Sequence, residues 1–136
     1  MKNYSVLGDD IGKLVLRLTL GGLILLHGIS KLQNFQAATA GITKQVVAAG
    51  LPEFVAYGVY AGEVLAPVLL ILGIFSRVGG IIVVINMVFA LFLVHSQQFL
   101  MLTKTGGWQL ELQFFYLLCG VVVTLIGSGR YAVKPD

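Results

Sequence analysis

Long apolar runs separated by short polar stretches make up most of this chain. Four runs, at residues 11–29, 54–75, 78–96 and 110–127, approach the length of about 20 residues that a helix needs to cross a bilayer. None of them shows the alternation of apolar and polar positions that marks a strand, and an open sheet cannot exist in lipid. The pattern predicts an all-α integral membrane protein, a four-helix transmembrane bundle in a single domain covering residues 1–136.

The polar stretch after the first run has a pattern of its own. Within residues 36–49, Ile42 and Val46 recur at helical spacing with Lys44 on the opposite side, and Gly50-Leu51-Pro52 ends the segment. This spacing predicts a short amphipathic helix in the first outer loop, which lies on the membrane surface or caps the bundle.

Composition supports a membrane location. The 136 residues are 57% hydrophobic and 11% charged, whereas soluble domains carry about 25% charged residues. One core of this size could not bury so much apolar surface, so the excess faces the lipid bilayer. A disordered chain, a secreted disulfide scaffold and a soluble nucleic-acid-binding protein are excluded. Cys119 is the single cysteine, so no disulfide can form within the chain.

The basic residues indicate the orientation in the membrane. Five lie on the side that holds both termini and three lie on the other side, and the side richer in Lys and Arg is usually cytoplasmic. We therefore expect both termini in the cytoplasm. The first group is Lys2, Lys13, Arg77, Arg130 and Lys134, and the second is Lys31, Lys44 and Lys104.

Two charged residues fall at membrane depth, where each unpaired charge costs at least about 2.5–3.5 kcal/mol at the bilayer centre. Arg17 lies in the first helix and Glu63 near the middle of the second. Counting the rise along each helix predicts a depth gap of under about 10 Å, which an arginine side chain can largely span. We therefore expect an Arg17–Glu63 ion pair inside the bundle, with a structural role favoured over a catalytic one.

A second polar cluster is expected towards the outer ends of the helices. Two histidines and a carboxylate could bind a metal, a haem iron or the oxygen of a quinone, but the histidines lie on separate helices and form no metal-binding motif. We assign no metal and keep a ligand-binding polar pocket as the hypothesis. Its alternative is a set of interfacial residues that hydrogen-bond one another and water. The candidates are His27, Lys31, Glu53, Asn86, His95 and Glu111.

Gly58 and Gly62 form a G-x-x-x-G pattern on the second helix. Small residues at this spacing let helices approach closely in a membrane. Packing within one bundle is favoured over a homo-oligomer interface.

Several short motifs carry, by their order and spacing, a resemblance to a known family. They are Arg17, His27-Gly28-Ile29-Ser30-Lys31, Gly50-Leu51-Pro52, the run from Glu63 to Gly73 followed by Arg77, then His95, Glu111 and Gly127-Ser128-Gly129. With these motifs the chain resembles the DoxX family over essentially its whole length. It departs from the family near its end, where members often have Gly-Pro-Gly followed by a serine and an aspartate. Ser128 replaces that proline, and Ala132 and Lys134 take the later positions.

The resemblance implies a small four-helix protein of the bacterial inner membrane. Relatives include a subunit of a thiosulfate:quinone oxidoreductase, and others are linked to oxidative-stress complexes with partner enzymes. The family name alone does not settle the chemistry, because one fold can host several functions.

Two functions remain open at this point. In the first, the chain is a subunit of a quinone-linked membrane oxidoreductase, in which His or Glu side chains supply protons to the quinone oxygens. A partner redox protein or a soluble substrate must then deliver the electrons, since the chain shows no recognisable electron-carrying site. In the second, it is a non-enzymatic module that anchors or assembles partners, or binds a lipid or small solute in the same pocket.

Overall fold

The computed structural model describes the backbone of residues 2–136 and the side chains of residues 6–136. Within this part, five helices account for most of the chain, and the regular structure is helical apart from two isolated β-bridges. A short 3₁₀ turn, Ser96–Gln98, follows the fourth helix. The helices are α1 (Lys2–Gln33), α2 (Phe35–Ala48), α3 (Glu53–Leu72), α4 (Ser76–Val94) and α5 (Glu111–Ile126).

Three helices are long and apolar enough to cross a membrane. They are the part of α1 from Val6 to Gln33, α3 and α4. Helix α5 is equally apolar but has 16 residues, fewer than the about 20 that a full crossing needs. The chain is therefore an all-α protein with membrane-spanning helices, and a fourth crossing by α5 stays a prediction.

Local chemistry explains where the helices begin and end. Helix α3 ends at Leu72, three residues before the expected end, because Gly73 takes a left-handed conformation with φ of +75°. Helix α1 extends beyond the expected residues 11–29 at both ends, since polar residues can continue a helix outside the apolar run. Helix α2 occupies the first outer loop, and its contact with a membrane surface stays a prediction.

Helix α3 is irregular in its middle. Residues Ala61–Leu65 form a π-helical turn, in which the Ala66 amide donates to the carbonyl of Ala61. Pro67 has no amide hydrogen, so it cannot donate to the carbonyl of Glu63 as a residue inside an α-helix would. That carbonyl instead packs against α1 at Gly28, where a Cβ atom would lie 2.1 Å from it. The proline therefore fixes both the irregular turn and the contact with α1.

A second π-helical turn, Ala90–Val94, ends α4. The His95 amide donates to the carbonyl of Ala90 over 3.2 Å, which closes this wide turn. Single π turns are rare and occur often at functional sites. Both irregular turns lie towards the same end of the molecule, which we call the loop end because it holds residues 95–110.

The opposite end, which we call the corner end, is closed by residues 127–136. This segment folds back over the corner between α3 and α4, where the amides of Val133 and Lys134 donate to the carbonyls of Leu72 and Gly73 over 2.9 and 3.0 Å. It also contacts α1, because the Arg130 amide donates to a carboxylate oxygen of Asp10. The last segment of the chain thus ties α1, α3 and α4 together.

Candidate functional site

A cavity of about 500 Å³ lies between α2, α3 and α4 towards the loop end. Its walls are mostly apolar, and α2, α3 and α4 each contribute apolar side chains to them. Representative lining residues are Ile42 and Val46 of α2, Val59 of α3, and Ile82, Phe89 and Leu93 of α4. The volume falls within the range of about 300–1,000 Å³ that small-molecule sites occupy.

The charged groups of the cavity form an ion pair. Lys31, from the last turn of α1, places its Nζ atom 2.6 Å from Oε2 of Glu63 in the π turn of α3. The Lys31 side chain is 28% exposed and that of Glu63 is 12% exposed. Each charge neutralises the other at a depth where either alone would be unfavourable.

Asn86 adds an amide group to the same wall. Its side chain packs directly on Gly62 of α3, where a Cβ atom would lie 2.3 Å from the Asn86 Cγ atom. Any larger residue at position 62 would displace Asn86. Gly62 therefore makes room for an amide that lines the cavity.

His95 completes the polar lining at the end of α4. Its ring nitrogen Nδ1 lies 2.8 Å from Oε1 of Gln98 in the following 3₁₀ turn. The Gln98 amide also donates to the carbonyl of His95 over 2.9 Å. The ring is thus held from one side, and Nε2 is the ring nitrogen left for other partners.

Three of the six candidate residues, Lys31, Asn86 and His95, line this cavity, and the other three do not. His27 is exposed and packs edge-on against Tyr116, with ring centroids 6.5 Å apart. Glu53 is exposed at the first turn of α3, and the exposed Glu111 lies beside Gly107. Their part in ligand binding stays a prediction.

The expected ion pair between Arg17 and Glu63 does not form, because each residue has a different partner. Arg17 is 1% exposed, and its Nη2 atom donates to the carbonyl oxygen of Tyr131. The Asp136 carboxylate is the acidic group that offsets part of the Arg17 charge. Arg17 therefore belongs to the corner end, whereas Glu63 pairs with Lys31 near the loop end.

The separation along α1 explains this correction. Glu63 packs against α1 at Gly28, eleven residues beyond Arg17, which corresponds to about 16 Å along the helix axis. Lys31 lies within one turn of Gly28, so it reaches Glu63 and Arg17 does not. Counting depth separately from the end of each apolar run placed the two helices in the wrong register.

Two further polar residues matter that the sequence pattern did not single out. Gln98 holds His95, and only the 3₁₀ turn brings the two together. The family pattern has an aspartate in this segment, where the chain has Lys134, and Asp136 follows two residues later. The departure at Lys134 was the sequence feature that could have drawn attention to Asp136. Within the part of the chain that the structure describes, no group of three or more His, Cys, Asp or Glu residues could hold a metal ion.

Comparison with known proteins agrees with these features. The model of the DoxX family matches residues 12–96, which include α2, α3, α4 and all of the cavity lining. The chain is also 30% identical over 126 residues to a protein of Bacillus subtilis (strain 168) that is named "Putative oxidoreductase CatD". The alignment covers 93% of this chain and 87% of that relative. No solved structure matches the chain. By a family match over more than half of its length, and by a relative aligned along nearly all of it, this membrane protein belongs to the DoxX family.

Proposed function

We propose that the protein is a subunit of a quinone-linked membrane oxidoreductase, and that the cavity between α2, α3 and α4 binds the quinone. The observation that carries this proposal is the cavity itself, which joins a large apolar wall to an ion pair, an amide and an imidazole. An isoprenoid quinone has the matching form, since it combines an apolar tail with a ring that bears two carbonyl oxygens.

The polar lining suits such a ring. The Lys31 ammonium and the Asn86 amide can each donate a hydrogen bond to a carbonyl oxygen, while Glu63 and His95 can hold or release a proton. All four side chains line one cavity. The helices around it are apolar enough to lie in lipid, where quinones dissolve. A ligand of this class could therefore reach the cavity without leaving the membrane.

The relative named an oxidoreductase gives the proposal independent support. The electrons would come from a partner redox protein or a soluble substrate. We place the protein in the bacterial inner membrane with both termini cytoplasmic, in line with the excess of basic residues at the corner end. The Lys2 side chain, which counts towards that excess, lies outside the described residues.

A second candidate function is a non-enzymatic module that holds a lipid in the same cavity. The specific observation in its favour is the mostly apolar lining, which would accept an acyl chain as well as an isoprenoid tail. The two functions differ in what occupies the cavity when the protein leaves its own membrane.

Native mass spectrometry after gentle extraction tests this difference. We expect a quinone mass on the wild-type protein and its loss from the variant Asn86→Leu, which keeps the side-chain size but removes the amide. The variant Asn34→Leu is the matched control, because Asn34 is an exposed asparagine that does not line the cavity, and it should keep the quinone. A bound phospholipid in place of quinone would support the second function. Equal retention of quinone by wild type and Asn86→Leu would show that the quinone binds elsewhere.

A further inference from the structure

We infer that Gln98 is a positioning residue that fixes the protonated nitrogen of His95, so that the cavity presents a hydrogen-bond acceptor and prefers a dihydroxy-aromatic ligand, a quinol, over the quinone. The ligand class in this inference rests on the proposed function. The state of the His95 ring does not, because it follows from contacts within the protein.

The contact between the two side chains determines the tautomer. Oε1 of Gln98 lies 2.8 Å from Nδ1 of His95, and a carboxamide oxygen can only accept a hydrogen bond. Nδ1 therefore carries the proton. In a neutral imidazole the other nitrogen, Nε2, is then an acceptor with a free lone pair.

The backbone holds both residues in this arrangement. The π turn holds His95 because the His95 amide donates a hydrogen bond to the Ala90 carbonyl. The 3₁₀ turn holds Gln98 because the Gln98 amide donates a hydrogen bond to the His95 carbonyl. The carbonyl of Gln98 in turn accepts from the Met101 amide over 3.1 Å. The side chains of His95 and Gln98 are therefore already in contact before a ligand binds, and the His95 tautomer does not depend on the ligand.

An acceptor at this position discriminates between the two redox forms of the ligand. The oxygens of a quinone only accept hydrogen bonds, so a quinone facing Nε2 would leave two acceptors opposed. A quinol brings an O–H group that donates to Nε2. A site with a hydrogen-bond acceptor disfavours a ligand that cannot donate to it, and His95 is a half-buried residue that lines the cavity. Lys31 and Asn86 can donate to the second oxygen of either form, so they do not distinguish quinol from quinone. The difference in affinity between the two forms then comes from His95.

Nitrogen NMR of histidine tests the first half of the inference. The protein is labelled with ¹⁵N-histidine and placed in lipid nanodiscs, and the variant His27→Gln leaves His95 as the one labelled ring. We expect a protonated Nδ1 and an unprotonated Nε2. The variant Gln98→Leu should abolish this preference, and Gln98→Glu should keep the proton on Nδ1 because a carboxylate also accepts. A proton on Nε2 in the wild-type ring, or an unchanged spectrum in Gln98→Leu, would overturn the inference.

Binding of a short-chain ubiquinol and the matching ubiquinone tests the second half. We expect wild type to bind the quinol more tightly, and the ratio of the two affinities to fall by about tenfold in Gln98→Leu, the worth of about one hydrogen bond. Gln97→Leu is the matched control, because Gln97 is an exposed neighbour and Gln98 makes the contact to His95. An unchanged ratio in Gln98→Leu would contradict the predicted selectivity. Failure of every variant and of wild type to bind either form would overturn the proposed function, while the NMR result would still decide the role of Gln98.

Discussion

Lys31 and Glu63 show how a membrane protein can keep a carboxylate at depth. Lys31 lies in the last turn of α1, and its flexible stem lets the ammonium group reach the π turn of α3. Neither residue is fully buried, so the pair lies between an exposed ion pair, worth about 0–1 kcal/mol, and a buried one, whose disruption costs about 3–5 kcal/mol.

A double-mutant cycle measures this pair. We expect Lys31→Met and Glu63→Gln each to lower the free energy of unfolding, with a coupling energy of about 2 kcal/mol, because either single change leaves a partly buried charge without its partner. Unfolding in mixed detergent micelles is the measurement. The cycle of Arg17→Met with Glu63→Gln is the control and should be additive to within about 0.5 kcal/mol. Additive effects in the Lys31 and Glu63 cycle, together with coupling between Arg17 and Glu63, would instead support the ion pair that counting depth predicted.

Arg17 differs from Lys31 and Glu63, because its guanidinium is almost completely buried. Among the described side chains, its Nε and Nη1 atoms have no hydrogen-bond partner, and Nη2 bonds to Tyr131. The Asp136 carboxylate offsets part of the charge. One oxygen of that carboxylate accepts a hydrogen bond from the Arg77 amide, so Asp136 acts on Arg17 through its charge. Removing this carboxylate alone would leave the buried guanidinium charge with less compensation, whereas removing both charges would not.

We therefore expect Asp136→Asn to lower the free energy of unfolding by at least about 1 kcal/mol, and the double variant Arg17→Met, Asp136→Asn to recover most of that loss. Asp10→Asn is the matched control. Asp10 is also a carboxylate at the corner end, but its contact is the Arg130 amide. If the double variant is less stable than Asp136→Asn, Arg17 contributes more through packing than its charge costs.

The sequence identified the unusual residues but not their partners. A charge within an apolar run is visible in the sequence, so Arg17, Glu63, His95 and Asn86 could all be picked out. Which of them meet depends on the register between helices, and a shift of a few residues along α1 moves a side chain by several ångströms. The sequence put Lys31 in the outer polar cluster and paired Glu63 with Arg17, so the contact between Lys31 and Glu63 was missed for this reason.

At the scale of elements, glycines on both helices let α3 and α4 approach closely. Gly79 of α4 lies against Ala66 and Leu70 of α3, and Gly62 of α3 lies against Asn86 of α4. The two glycines of the G-x-x-x-G pattern are not equivalent, because Gly62 faces Asn86 whereas a Cβ atom at Gly58 would meet nothing within 4 Å. Of the two glycines in the motif, therefore, position 62 and not position 58 takes part in the close approach of the two helices.

The two glycines provide a matched pair of variants. Gly62→Ala should lower the free energy of unfolding by about 1–3 kcal/mol, because its methyl group would overlap the Asn86 side chain. Gly58→Ala should cost nothing and could add up to about 1 kcal/mol through helix propensity. Thermal unfolding of both variants in the same detergent checks this. Equal losses in the two variants would contradict the assignment of the close contact with Asn86 to position 62 alone.

Helix positions were easier to predict than helix shape. Continuous apolar length locates α3 and α4 almost correctly, because the membrane requires it. The π turns left no comparable signal, although Pro67 predicts an irregularity one turn before itself. The turn at Ala90–Val94 contains no proline or glycine, and we find no feature in its sequence that would have predicted it.

At the scale of the whole molecule, the contact between Asp10 and Arg130 bears on the number of membrane crossings. It brings the beginning of α1 and the segment after α5 to the same end of the bundle. Two points on one side of a membrane are joined by an even number of crossings. With α1, α3 and α4 as three crossings, we therefore expect the short helix α5 to cross as well, although its length alone does not show it.

Cysteine labelling in intact cells checks this topology. With Cys119 replaced by Ser, single cysteines at positions Asp9 and Lys134 should both be shielded from a membrane-impermeant maleimide, while one at Thr105 should react. The expectation follows from the shared corner end of the first two positions and from the excess of basic residues there. Opposite reactivity at positions 9 and 134 would contradict a fourth crossing.

The unequal lengths of α1 and α5 also affect the surrounding lipid. Helix α1 is about 48 Å long and has its apolar run at residues 11–29, and α5 is about 24 Å long, whereas the hydrocarbon layer is about 30 Å thick. Helix α1 can tilt or project into water, whereas a crossing by α5 would be accommodated by local thinning of the bilayer, by flanking side chains that extend to the interface, or by association with another helix. With thinning, the membrane would be thinner on the α5 side of the protein. Such hydrophobic mismatch makes bilayer thickness a determinant of its stability, and it would draw the protein towards the thinner regions of a cell membrane.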